Sequence, residues 1–299
     1  MGLPIPMTIA EALRAAASRL RQAGIDNPRL EARLLLSHAL DRTPADLLRE
    51  SATTIDAAAF QILLARRISH EPMAYIIGHQ GFWRHDFLVS PATLIPRPDS
   101  ETIVEAALAL PQPRRVLDLG TGTGCLLLSV LHERPEAFGV GVDLSPEAAS
   151  LARRNAARLG LASRTAFLCG NWADSLSARF DLVLSNPPYI DRRSIGGLMP
   201  EVAAHEPHLA LDGGADGLDA YRAIVLALRI LLASTGAAVL ELGIGQAQAV
   251  AALGKSAGFA ASFRADLAGV ARAVILRRKA PEETPPKKTI WHKADSGLP

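Results

Sequence analysis

Two short runs hold residues whose types and spacing can do chemistry. Phe180-Asp181-Leu182-Val183-Leu184-Ser185 reads as an apolar strand, and Asn186-Pro187-Pro188-Tyr189 follows it directly. Successive prolines fix the backbone and supply no amide hydrogen, so the carbonyls here lack an internal donor. A rigid acceptor site then sits at the carboxyl end of a strand, where ligands bind in open α/β folds. Such a site suits a planar amide or exocyclic amino nitrogen, a poor nucleophile because its lone pair is delocalised. The Asn186 side-chain oxygen and the Pro187 carbonyl would hold its two N–H bonds and aim the lone pair at an electrophile. Pro188 stiffens the turn, and Tyr189 would stack on the planar group. Catalysis would be mainly orientation, whose upper range is about 7–11 kcal/mol. The plainer alternative is an ordinary turn after a strand.

The second run, Val116-Leu117-Asp118-Leu119-Gly120-Thr121-Gly122-Thr123-Gly124, ends an apolar strand in a glycine-rich turn. Glycines let the backbone pass close to a ligand and let the next helix begin beneath it. In a dinucleotide fingerprint counted from Gly120, the third glycine place is taken by Cys125. The pattern D-x-G-x-G-x-G instead resembles motif I of class I S-adenosylmethionine-dependent methyltransferases. That likeness implies a cofactor lined by Gly120, Thr121, Gly122, Thr123 and Gly124. Asp143 closes the next strand, about twenty residues on, where an acid can accept both ribose hydroxyls. The alternative is that Asp143 only caps the following helix. A methyl on a cationic leaving group needs no strong base before transfer.

Strand and helix alternate after Arg114. Strands are expected at Val116–Leu119, Gly139–Asp143, Thr165–Leu168, Asp181–Ser185 and Ala237–Leu242, with two more near Phe259 and Val274. Helices fit Cys125–Glu133, Pro146–Leu159 with Ser145 as cap, Asp219–Leu232 and Gln246–Gly258. This alternation predicts a mostly parallel sheet covered on both faces. Upstream, residues 1–77 read as a helical domain. Thr8 and Glu11 form a capping box, Asn27 caps a second helix with Pro28 in its first turn, and a third runs from about Ile55 to Ser69. Residues 78–98 suggest two extended segments around Arg84-His85-Asp86, then a Pro-punctuated loop, bridging to a catalytic domain over 99–279. The Pro-, Lys- and Glu-rich residues 280–299 predict a disordered tail.

Composition narrows the function classes. Hydrophobic residues are 49% of the 299 and charged ones 21%, enough for a sizeable core. The formal charge of +2 and pI near 8.7 are too weak to indicate nucleic-acid binding. Two cysteines, Cys125 and Cys169, lack metal-ligand spacing, so no metal is expected, and they fit a reducing cytosol. The first residues show no basic segment followed by an apolar one, and Ile224–Leu242 is broken by Arg229, Gly236 and Glu241. A cytoplasmic protein is expected, with neither signal peptide nor membrane span.

From the helical start to about Lys279, the sequence is similar to the HemK-type protein N5-glutamine methyltransferases that modify peptide-chain release factors. The likeness rests on Gly81-Phe82-Trp83, Leu94-Ile95-Pro96-Arg97-Pro98-Asp99-Ser100-Glu101, the glycine motif and Asn186 to Ile190. It also rests on Glu206-Pro207, Leu209-Ala210-Leu211-Asp212-Gly213-Gly214 and Asp216-Gly217-Leu218, a loop that spacing alone does not interpret. The resemblance implies S-adenosylmethionine as cofactor and the glutamine of the Gly-Gly-Gln loop of class 1 release factors as substrate. It also implies a class I, Rossmann-like seven-stranded sheet with the last strand antiparallel, beside a smaller N-terminal helical domain that contacts the protein substrate. By position, Asp143 binds the ribose, Trp172 lies near the adenine, and Asn186 and Pro187 hold the glutamine amide, with Asn186 also beside the cofactor. The family often has Asp where this chain has Asn171, whose amide can still accept from the adenine amino group.

Several residues carry two readings. Arg97 and Glu101 either bind substrate or cofactor, or pair to fix the loop. Phe82 and Trp83 are read first as packing between domains, with the substrate pocket as the weaker alternative for Phe82. His205 is read as a solvated loop histidine, and the basic end from Arg277 to Lys293 as a solvated tail rather than an RNA contact. Rival functions are methylation of a ribosomal-protein glutamine, of adenine N6 or guanine N2 in nucleic acid, and a non-enzymatic scaffold. Few aromatics in residues 1–80 favour a protein substrate, with no stable nucleic-acid partner.

Overall fold

The computed structural model describes residues 6–174 and 176–279; the expected tail over 280–299 lies outside them. Thr8 and Glu11 cap one another reciprocally, starting α1 (Ile9–Gln22), which a short pair of strands, β1 (Met7–Thr8) and β2 (Thr54–Ile55), ties to the segment before α4. α2 (Pro28–Leu40) begins at Pro28, but Asn27 adopts a left-handed conformation and makes no side-chain cap. The short α3 (Pro44–Arg49) was not expected; its signal is the Thr43–Asp46 capping box. α4 (Ala58–Ile68) and α5 (Met73–Ile77) complete this part, with Leu20, Leu35, Phe60 and Leu64 fully buried at its centre.

β3 (His79–Phe82) and β4 (His85–Leu88) form the expected hairpin, with the turn one residue early: Trp83 takes the left-handed conformation and His85 already pairs with Phe82. A 3-10 turn at Pro98–Ser100 leads into α6 (Glu101–Leu108). Then follow β5 (Arg115–Leu119), α7 (Cys125–Glu133), β6 (Phe138–Asp143), α8 (Pro146–Arg158), β7 (Thr165–Cys169) and β8 (Phe180–Ser185). Ser145 caps α8 through the Ala148 N–H. After α9 (Pro200–His205) come α10 (Asp219–Leu231), β9 (Leu232–Glu241), α11 (Ala247–Ser256), β10 (Phe259–Ala265) and β11 (Ala271–Arg278). The turn expected between α10 and β9 is an irregularity inside β9 instead: pairing with β8 jumps from Phe180–Leu232 to Leu182–Ala237.

Seven strands form one sheet in the order β10-β11-β9-β8-β5-β6-β7, and β11 alone runs antiparallel to its neighbours. Strand order reverses between β5 and β8, so the carboxyl ends of these central strands open a crevice. No helix among the described residues is long and apolar enough to cross a membrane.

Two side chains attach the outer parts. Asn155 of α8, 1% exposed, accepts from the Leu88 N–H at 2.8 Å and donates to the Leu88 and Thr123 carbonyls at 3.0 and 2.9 Å. It therefore locks the hairpin to the glycine turn. Arg67 of α4, 5% exposed, pairs with Glu31 at 2.5 Å and with Glu201 of α9 at 3.2 Å, joining the N-terminal helices to the segment after the catalytic motif.

Candidate active site

A cleft of about 660 Å³ lies over the crevice, lined by the 92–97 loop, the glycine turn, Asp143, Trp172, Asn186 and the 207–212 loop. Its size falls in the range of small-molecule sites, roughly 300–1,000 Å³. Gly120, Gly122 and Gly124 all have positive φ, which the other L-residues rarely adopt. Thr121 and Thr123 are buried under this turn; the Thr121 hydroxyl donates to Asp118 at 2.7 Å. Burial pushes the Asp118 carboxyl up to about 7, against that bond.

Asp143 stands at the end of β6. One carboxylate oxygen accepts from the Gly122 N–H at 2.8 Å and the other from the Ser145 N–H at 2.9 Å. It thus ties the glycine turn to Ser145, the cap of α8, while each oxygen keeps a lone pair for a further donor. Burial raises its pKa; the backbone hydrogen bonds oppose the shift. Trp172, left-handed at φ 47°, places its ring against Gly120, 3.6 Å from where a Cβ would stand. Asn171 is exposed at the rim and donates its amide to Asp174 at 3.3 Å, with no hydrogen bond to its side-chain oxygen among the described residues.

On the other side of the switch point, Asn186 Nδ2 donates to the Ser100 hydroxyl at 3.1 Å. No hydrogen bond to Asn186 Oδ1 or to the Pro187 carbonyl is formed among the described residues, so both acceptors are unclaimed. Asn186 and Pro188 line the cleft, whereas the Pro187 side chain is buried. Tyr189 is not where a stacking role requires it. Its ring packs against the sheet core and Gly243, away from the cleft lining, and its hydroxyl donates to Glu241 at 3.3 Å. Burial pushes the Tyr189 pKa up, and the Glu241 charge adds to this.

The 209–218 loop has a structural reason for its glycines. The loop exchanges backbone hydrogen bonds with the motif end, the Ile190 N–H donating to Leu211 O at 3.0 Å and the Gly213 N–H to Ile190 O at 2.9 Å. A Cβ at Gly213 would lie 2.8 Å from the Tyr189 Cα, and one at Gly217 2.5 Å from the Tyr189 carbonyl oxygen. Gln246 Nε2 donates to that same carbonyl at 2.9 Å.

Other expectations divide. Phe82 does not reach the cleft: it is 3% exposed and packs edge-on against Phe87 in the core beneath α7 and α8. Trp83 packs beside it and donates its indole N–H to Glu133 at 3.2 Å. Both aromatics therefore pack, the first of their two readings, because the hairpin lies on the sheet's helical cover. Arg97 lines the cleft but does not pair with Glu101; it pairs with Glu206, whose side chain is 1% exposed and also accepts from the Ile95 N–H at 3.2 Å. Glu101 accepts from the Trp83 N–H at 2.7 Å. His205 Nε2 contacts the Ser69 carbonyl at 3.2 Å rather than solvent alone. Cys125 is pushed up to about 12 by burial, which suits a packing residue and not a nucleophile. No cluster of potential metal ligands occurs among the described residues. Ser100, Glu206 and Glu241 were not singled out for these contacts, because each acts across more than fifty residues of sequence.

A family model described as methyltransferase small domain matches residues 99–208. A solved methyltransferase from Pyrococcus furiosus superposes with a TM-score of 0.50 at 17% identity, over 72% of this chain and 98% of that one. Sheet order, glycine turn and cleft together define a class I methyltransferase fold. A model described as PrmC N-terminal domain matches residues 11–78. The release factor glutamine methyltransferase of Rhodospirillum rubrum is 44% identical over 286 residues, covering 94% of this chain and 88% of its own. That of Cereibacter sphaeroides is 47% identical over 275 residues, covering 91% and 99%. The chain belongs to the release factor glutamine methyltransferase family.

Proposed function

We propose that this protein transfers a methyl group from S-adenosylmethionine to the side-chain amide nitrogen (N5) of the glutamine in the Gly-Gly-Gln loop of class 1 peptide chain release factors. The observation that carries the reading is the Asn186 amide, which lines the cleft: its nitrogen is tethered to Ser100, and no hydrogen bond is formed to its oxygen or to the Pro187 carbonyl among the described residues. Two acceptors match the two N–H bonds of a primary amide. As a methyl arrives, positive charge grows on that nitrogen, and both acceptors strengthen their hold.

The residues fit the cofactor. The glycine turn offers backbone without side chains, Asp143 has free lone pairs for ribose hydroxyls, and Trp172 and Asn171 border the space an adenine would take. Bound there, S-adenosylmethionine supplies a methyl on a sulfonium, already activated for attack by a neutral nitrogen. The largely apolar 92–96 loop and Leu209 line the same cleft beside Asn186. Residues 1–77 contact the protein substrate, 78–98 connect them to the catalytic residues 99–279, and the protein works in the cytoplasm without a stable nucleic-acid partner.

The test is tritium transfer from labelled S-adenosylmethionine to a release factor, its Gln→Ala loop variant, a ribosomal-protein fraction and bulk nucleic acid. Label on the intact release factor alone is expected. Label on nucleic acid or ribosomal protein, with none on the release factor, would overturn the substrate assignment.

A further inference from the structure

Two segments that line the cleft come from distant parts of the chain: the 92–97 loop ahead of α6 and the 207–212 segment after α9. Different side chains fasten each of them to the N-terminal helices. The Tyr75 hydroxyl of α5 donates to the Thr93 carbonyl at 2.6 Å, and Tyr75 packs with Val89 and Ile95 in one small buried cluster. On the other side, Nη1 and Nη2 of Arg67 both donate to Glu201 Oε1 at 3.2 Å. His70 Nδ1 stands 3.4 Å from the same oxygen, and His205 Nε2 contacts the Ser69 carbonyl at 3.2 Å. α9 is therefore pinned near both of its ends to the end of α4. Arg67 is itself held by Glu31 of α2, at 2.5 and 3.2 Å, so the pin is anchored inside the helical domain.

The two fastenings meet at Glu206. It follows α9 directly, and its side chain is 1% exposed. Its Oε2 accepts from the Ile95 N–H at 3.2 Å and its Oε1 from the Arg97 guanidinium. One buried carboxylate thus latches the 207–212 segment to the 92–97 loop. A ring of contacts closes, from α5 through Thr93, Ile95, Glu206 and α9 back to α4. A buried charge persists only where it is paired and hydrogen-bonded, and both donors to this one come from a single wall of the cleft. Arg97 lines the cleft, and neither its Nε nor its Nη1 forms a hydrogen bond among the described residues. Glu206 fixes one edge of the guanidinium and leaves the other donors for a ligand; main-chain carbonyls of an entering peptide loop are acceptors that suit them.

We infer that Glu206 is a positioning residue that fixes the spacing of the two cleft walls and the aim of Arg97 at the main chain of the protein substrate. The N-terminal helices hold it there through Tyr75 and Arg67. None of Tyr75, Arg67, Glu201 and Glu206 lines the cleft, so each acts through the walls it fastens.

The inference rests on the proposed protein substrate, so one readout needs that substrate and one does not. Without substrate, exchange of the Ile95 amide hydrogen is followed by NMR in the isotopically labelled full chain. Glu206→Gln keeps the shape but offers one oxygen to two donors, and exchange at Ile95 should speed up by about 10-fold. In transfer assays run well below the unfolding midpoint, Glu206→Gln should raise KM for the release factor by about 10-fold with kcat little changed, as for lost binding common to ground and transition states. The ring also predicts redundancy. Tyr75→Phe or Glu201→Ala alone leaves one fastening and should change either readout by less than about 2-fold, yet together they should match Glu206→Gln, whereas sites without a shared partner combine independently. Glu50→Gln, in the surface Arg42–Glu50 pair of the same helices, should change neither readout. Unchanged Ile95 exchange in Glu206→Gln, single effects that simply multiply in the double variant, or a loss confined to kcat would overturn the positioning role. No label on the release factor from the unsubstituted protein, with Ile95 exchange behaving as expected, would overturn the substrate assignment and leave the ring intact.

Discussion

Replacing Asn186 by Ala separates orientation from binding. The substitution removes Oδ1, one of the two unclaimed acceptors, and the Nδ2–Ser100 bond of 3.1 Å that holds it in place. A hydrogen bond to a group gaining charge is worth about 1.5–3 kcal/mol, which is about 10- to 150-fold in rate. With one acceptor left, the amide also rotates about its remaining bond, so part of the orientational advantage goes too. The two losses together predict a kcat roughly 10²–10³ below the unsubstituted protein, similar to removing one oriented donor from an oxyanion site. The Asp143 and Gly122 contacts are untouched, so calorimetry should return an unchanged affinity for S-adenosylmethionine. The buried Ser100 hydroxyl loses a donor, which costs about 1–3 kcal/mol of stability, and assays belong well below the midpoint of unfolding. A folded variant with near-normal kcat, or one whose whole defect is lost cofactor affinity, would refute the reasoning.

Three further outcomes follow from buried polar groups. Arg97→Ala strands the Glu206 carboxylate with only the Ile95 N–H, so unfolding should become easier by about 3–5 kcal/mol; adding Glu206→Gln should recover much of this in denaturant titrations. Asn155→Ala breaks three hydrogen bonds that join the hairpin to the glycine turn, with an expected loss of about 3 kcal/mol in stability and weaker cofactor binding by calorimetry. Asp118 has a folded pKa of about 7, above its unfolded value, so the folded state binds the extra proton between about pH 4 and 7 and stability falls as pH rises through that window. Asp118→Asn should therefore be more stable than the unsubstituted protein at pH 8, by an amount on the order of 4 kcal/mol, with the gain shrinking toward pH 4 in thermal melts; equal gains at both pH values would contradict the buried, shifted carboxyl.

What was legible in the sequence follows how local its physics is. Ser145 announces α8 and Thr8 with Glu11 announces α1, because a cap and its partner sit three residues apart. Glycine turn, Asp143 and Asn186 were readable because each ends a strand whose apolar run is itself visible. The partners of those residues were not. Ser100 reaches Asn186 across 86 positions and Tyr189 reaches Glu241 across 52, and no periodicity encodes such a contact. Tyr189 was misplaced for the same reason: an aromatic after Asn-Pro-Pro looks available for stacking until β9 supplies a buried carboxylate for its hydroxyl. Phe82 packs, as first read, but against α7 and α8, a partner that no local pattern in the hairpin names.

The strand order explains why one cleft brings donor and acceptor together. β5, β6 and β7 run outward from the centre on one side, and their ends hold the glycine turn, Asp143 and the Trp172 segment. β8 and β9 lie on the other side and carry Asn186 and Glu241. The relative height of the two halves must be held to a fraction of an ångström if a nitrogen on one side is to meet a methyl on the other. Ser185, fully buried, donates its hydroxyl to the Leu119 carbonyl at 2.6 Å, directly across the switch point. That bond joins the residue before Asn186 to the residue before Gly120, so the two motifs are fixed to each other through the sheet rather than through the loops that close over them.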